Sequence, residues 1–136
     1  MRQTILLLVL VLAAGLAGCG KQHGDLLESF PLPRLSEATL VAGDEVHLAW
    51  SLTDTAGVDQ YKIYVGLYVY GAETVAVFDS TTAMEYDYID ANLSQIDPDL
   101  CAVGACDSVY KYTYFQISAV RGGVEGVAGP RLFPHW

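Results

Sequence analysis

Thr113-Tyr114-Phe115-Gln116-Ile117-Ser118-Ala119 is the stretch that decides the fold. Phe115, Ile117 and Ala119 recur at every second position, and Tyr114, Gln116 and Ser118 fall between them. Successive side chains of an extended chain point to opposite faces, so this alternation predicts a strand with one face packed and the other wet. The same reading extends outward. Val46-His47-Leu48-Ala49-Trp50 puts Val46, Leu48 and Trp50 together. Tyr61-Lys62-Ile63-Tyr64-Val65 groups Tyr61, Ile63 and Val65, and Thr82 to Tyr88 groups Met84, Tyr86 and Tyr88. Thr74 to Phe78 is a further β-rich run. Gly43-Asp44, Ala56-Gly57, Gly71 and Gly122-Gly123 punctuate the runs as turns. Short alternating strands with almost no helical period predict an all-β fold, a two-sheet antiparallel sandwich.

Three pieces of this region resemble a fibronectin type III domain, over residues 32–133. Val46-x-Leu48-x-Trp50 is similar to the family's second strand with its core tryptophan. Asp54 through Gly57-Val58-Asp59-Gln60-Tyr61-Lys62-Ile63-Tyr64 is similar to the turn into the third strand. Phe115-x-Ile117-x-Ala119-Val120, followed by Gly123-x-Glu125-Gly126, is similar to the sixth strand and the turn to the seventh. The resemblance implies an immunoglobulin-like sandwich in which the Tyr61 and Phe115 strands are neighbours. Two departures stand out. The family's corner tyrosine falls here on Thr113, between Tyr112 and Tyr114, and residues 89–109 are longer than the usual connection. Neither the Trp50 strand nor the Phe115 strand carries a cysteine, which argues against an immunoglobulin domain with its inter-sheet disulfide.

The N-terminus reads as an address. Arg2 precedes an apolar run from Ile5 to Ala14, and small residues follow, as in an export signal. The run is short for a membrane span of about 20 residues. Leu16-Ala17-Gly18-Cys19 resembles the lipobox of bacterial lipoproteins. That resemblance implies cleavage after residue 18, diacylglycerol on the Cys19 sulfur, and acylation of the new N-terminus. An ordinary secretory cleavage leaving a free cysteine is the plainer alternative. Each buried CH₂ contributes about 0.8 kcal/mol, so two or more chains anchor stably. Gly20 lacks the aspartate that favours inner-membrane retention in enterobacterial relatives, which implies outer-membrane placement. Residues 19–31 then form the lipidated N-terminus and a polar tether stiffened by Pro31, with Pro33 just beyond it. Residues 134–136 form a short tail.

The chain carries 7 Lys+Arg against 16 Asp+Glu, a formal charge of −9. Without Arg2 the mature part stands at about −10. Such a balance speaks against nucleic acid, which requires clustered cations, and against anionic lipid headgroups. It also serves plain solubility. Of three cysteines, Cys19 is taken by the lipid, leaving Cys101 and Cys106 in a short ring. A disulfide suits an oxidising compartment, whereas a metal site would lack the four ligands zinc prefers.

Chemistry is sparse. His23 lies in the tether, His135 is next to last, and His47 is on the outward side of the Trp50 strand. None neighbours a nucleophile elbow, and no phosphate-binding glycine loop occurs. No cofactor and no catalytic residue is expected. Asp87, Asp90, Asp97, Asp99 and Asp107 are solvated turn residues or, less simply, calcium ligands; Asp97-Pro98-Asp99 is a turn signal first. The sharper feature is aromatic, with nine tyrosines in the chain. With Tyr61, Ile63 and Val65 inward, Tyr64, Tyr68 and Tyr70 face out, and Tyr112 and Tyr114 face out from the neighbouring strand. These five form a candidate binding face, since tyrosine gives large contact area at low entropic cost. Simple cross-strand pairing would use the same residues. The expectation is a non-catalytic module that binds a protein or a polysaccharide at a bacterial membrane. The alternatives are an accessory subunit of an envelope complex and, remotely, a small hydrolase.

Overall fold

The computed structural model describes residues 32–136. The expectations for the signal at 1–18, Cys19, His23 and the tether at 19–31 lie outside the described residues. The rest is built of strands in two antiparallel sheets. One sheet has the order β1-β2-β5, with β1 at Arg34–Ala42, β2 at Glu45–Ser51 and β5 at Glu85–Ile89. The other has the order β4-β3-β6-β7, with β3 at Val58–Val69, β4 at Ala72–Thr81, β6 at Thr113–Arg121 and β7 at Val124–Glu125. A short helix α1, Pro98–Ala102, and a 3₁₀ turn, Val109–Lys111, lie in the long connection between β5 and β6.

The alternating residues meet between the sheets. Val46, Leu48 and Trp50 of β2 are buried, as are Tyr61 and Ile63 of β3 and Phe115, Ile117 and Ala119 of β6. The β3–β6 register pairs Ile63 with Ile117 and Tyr61 with Ala119, so their side chains stack on one face. Trp50 meets Tyr61 edge-on at 5.5 Å, and Tyr88 of β5 packs edge-on against Phe115 at 5.1 Å. Only Tyr88 of the Met84, Tyr86 and Tyr88 set is buried. β5 starts at Glu85, after Met84, whose carbonyl accepts the Trp50 amide at 3.0 Å.

The chain end stitches the sheets together. The Gly129 amide donates to the Ile117 carbonyl, and Phe115 and Leu132 exchange two backbone hydrogen bonds. Residues 134–136 are no loose tail: His135 runs parallel to Thr39, donating to Ala38 O at 3.0 Å and accepting from Leu40 N at 2.8 Å. Gly129 is required at this crossing, because a Cβ there would stand 2.0 Å from the Pro33 carbonyl oxygen.

The registers define two poles. Arg34, Ser51, Val58 and Arg121 gather at one, where β1 begins. The β3–β4 turn, the end of β5 and the start of β6 gather at the other. The four-stranded sheet is the longer at this second pole. β3 has 12 residues and β4 has 10, whereas β5 has only 5. The inward faces of the β3–β4 hairpin therefore outrun the opposite sheet.

Candidate functional site

The outward face of β3 and β6 does not present five free tyrosines. Tyr64 is half-buried, and its hydroxyl donates to Glu125. Lys62 Nζ and Ser118 Oγ reach the same carboxylate, each at 2.6 Å. Burial pushes the Glu125 carboxyl up, but the hydrogen bonds from Lys62, Ser118 and Tyr64 outweigh it and hold the group below its ordinary value. Burial, then the Glu125 contact, raises the Tyr64 phenol.

Tyr114 points outward from β6, yet it is fully buried, so it offers no area to a partner. The C-terminal segment explains this. Phe133 lies 5.9 Å from the Tyr114 ring, and the Arg131 guanidinium sits 5.0 Å from its centre. Below, the ring lies across Gly66 of β3, where a Cβ would stand 2.3 Å from a ring carbon. Glycine in this strand is there for the close approach of that ring. The Tyr114 hydroxyl and Arg131 both donate to Glu73, and burial followed by the Glu73 contact pushes the phenol up to about 12. Tyr68 is exposed beside Arg131, whose guanidinium lies 5.6 Å from its ring. Tyr112 is half-buried at the end of the 3₁₀ turn, and its carbonyl accepts the Tyr68 amide at 2.8 Å.

Tyr70 is the most exposed of the five, with 74% of its surface accessible. It forms the β3–β4 turn with Gly71, at φ values of 49° and 87°. Two positive φ angles suit a two-residue hairpin, but a tyrosine there carries strain of about 1–2 kcal/mol. Its hydroxyl donates to the Gly104 carbonyl at 2.8 Å, tying the hairpin tip to the segment between Cys101 and Cys106. The Cα atoms of those cysteines are 4.0 Å apart, with their sulfurs in contact.

Behind this tip lies a groove that the sequence reading missed. Val65, Leu67 and Val69 continue the inward face of β3 past the end of β5, and Ala76, Thr74 and Ala72 pair with them. A cavity of about 310 Å³ is lined by Val65, Leu67, Thr74, Ala76, Tyr88, Asp90 and Val109, among others. A second, of about 550 Å³, shares Leu67 and Thr74 and extends along Val69 and Ala72 to Leu100 and Val103 of the long connection. The two hollows thus form one apolar groove on the uncovered inner face of the hairpin. Asp90 and Asp99 stand on its rim, and no cation among the described residues lines it. Asp90 accepts the Tyr88 hydroxyl at 3.0 Å, and burial, the larger cause, together with that carboxylate drives the phenol well above its usual value. The sequence signal for the groove was the length of β3: its alternation runs to Val69, further than the five-residue β5 of the opposite sheet can cover.

The remaining candidates make local contacts. His47 pairs across the strands with Asp87 at 2.6 Å, a hydrogen bond that raises its pKa. Asp97 caps α1 by accepting the Asp99 amide at 2.8 Å, and Asp107 accepts from Lys111 at 2.6 Å. Among the described residues, no group of three His, Cys, Asp or Glu side chains is placed to hold a metal ion. Nor is any helix among them long and apolar enough to cross a membrane. No family model and no curated protein sequence matches the chain.

Proposed function

We propose that this chain is a lipid-anchored bacterial envelope protein whose fibronectin type III-like domain is a non-catalytic binding module. The observation that carries the binding role is the apolar groove on the hairpin's inner face, with an exposed, strained tyrosine at its mouth. Concave apolar surface with few convergent polar groups is the usual form of a binding site. Backbone strain retained at an exposed aromatic also points to use rather than stability.

The fibronectin type III reading is supported by the three-plus-four strand order and by the pairing of β3 with β6. Thr113, at the corner-tyrosine position, donates through Oγ1 to the Val109 carbonyl at 3.0 Å, a bond back to upstream backbone of the kind a corner tyrosine makes. Adjacent sulfurs at Cys101 and Cys106 support a disulfide in the long connection. The anchor rests on the lipobox at Cys19.

The anchor and the binding role are tested together by Cys19→Ser in cells. The wild type should fractionate with membranes, carry a thiol-linked lipid by mass, and crosslink to neighbours. The variant should leave the membrane fraction. An unmodified Cys19 in soluble wild-type material would refute the anchor, and the absence of any crosslinked neighbour would refute the binding role.

A further inference from the structure

Among the described residues, β4 pairs only with β3, so its far side is a free sheet edge. A free edge carries unpaired N–H and C=O groups that template another strand, and soluble proteins normally blunt it with prolines, lysines, shortness or cover. The other edges here are blunted. His135 runs alongside β1, β7 is 2 residues long, and β5 is short and bears Glu85 and Asp87. β4 is 10 residues long and exposed almost throughout, with neither proline nor lysine. Its carboxylates are already engaged, Glu73 by Tyr114 and Arg131, Asp79 by Tyr86. Between them Thr74–Phe78 is uncharged, and Val75 and Val77 are 49% and 50% exposed. The extra β4 residue at the bulge opposite Ile63 and Tyr64 lies at one end of this run.

We infer that the β4 edge binds an extended apolar segment carrying basic residues, which adds as a fifth strand and sends alternate side chains into the adjoining groove. This rests on the reading as a binding module. The groove supplies the geometry, because side chains of an added strand alternate between the Thr74–Ala76 side and the Val75–Val77 side. Charge supplies the choice of occupant. Asp90 and Asp99 rim the groove, no cation among the described residues lines it, and the chain stands at −9. A basic segment complements that field, whereas a second copy of this acidic chain repeats it.

The test uses the full chain in detergent with three short synthetic peptides: alternating valine and lysine, alternating valine and glutamate, and the lysine peptide with a central proline. The lysine peptide should bind and slow amide hydrogen exchange across Thr74–Phe78. The glutamate and proline peptides should each bind at least about ten-fold more weakly. Ala76→Arg should weaken lysine-peptide binding by a similar factor, and Val77→Lys gives a second reading if the first variant fails to fold. Equal binding of lysine and glutamate peptides, binding that leaves Thr74–Phe78 exchange unchanged, or pairing of two copies through β4 would overturn the inference. Peptides that fail while neighbours still crosslink in cells would overturn strand addition and leave the binding module standing. Loss of both would remove both.

Discussion

Glu125 shows how one carboxylate organises a face. It collects Lys62, Tyr64 and Ser118 from two strands, and its depressed pKa means that folding favours the ionised form. The stabilisation is therefore present above the ordinary glutamate pKa and is lost as pH falls through the lower folded value. Glu125→Gln should cost about 1.5–3 kcal/mol at neutral pH, the usual range for hydrogen bonds to a charged group. It should also flatten the acid side of the stability profile, as read from denaturant midpoints between about pH 6 and 3. A variant profile parallel to that of the wild type would remove Glu125 from the account. Asp79 and Asp107 are also held low, by Tyr86 and Lys111, so only the difference between the two profiles isolates this residue. At this scale the sequence was informative about facing and silent about cover. Phe115, Ile117 and Ala119 were legible because alternation alone determines their side. Tyr114 was placed on the correct side of β6, but its burial depends on Arg131 and Phe133 returning over it, which no local pattern encodes.

At the scale of elements, the existence of β2 to β6 was legible, whereas β1 at Arg34–Ala42 and relative strand length were not. Val46 to Trp50 and Tyr61 to Ile63 alternate strongly enough to identify β2 and β3. The groove arises from a comparison between β3, β4 and β5, and the end of β5 is written only as the departure of the chain at Asp90. The long connection then supplies the far wall. α1 begins at Pro98 behind the Asp97 cap, and the Gly104 carbonyl meets Tyr70. A disulfide between Cys101 and Cys106 would close a ring so short that chain entropy alone gives about 2 kcal/mol. The double variant Cys101→Ser, Cys106→Ser should lose about that much stability. It should also speed amide exchange in residues 97–106 more than in β6. Equal exchange in the two segments would show that the ring does not hold the wall.

For the whole molecule, the closure by the C-terminal segment matters most. Leu132 pairs with Phe115 of one sheet, and three residues later His135 pairs with β1 of the other. Trp136 meets the Tyr110 ring edge-on at 6.1 Å. Deleting residues 133–136 removes two backbone hydrogen bonds and the Phe133 share of the cover over Tyr114. The expected loss is about 2–4 kcal/mol, with β1 now an open edge. Chemical denaturation should register the first effect and sedimentation a tendency to associate. An unchanged midpoint would mean that the stitch is incidental. The sandwich itself was readable because β2, β3 and β6 follow one period of two, whereas β1, with its two register shifts, and β4, exposed almost throughout, do not. The stitch was not, since Pro-His-Trp has no pattern that predicts a bridge.

The chain enters β1 at the pole where Ser51, Val58 and Arg121 gather, and the groove opens at the other. Substitutions around Arg34 and Arg121 should thus leave the lining of the groove untouched.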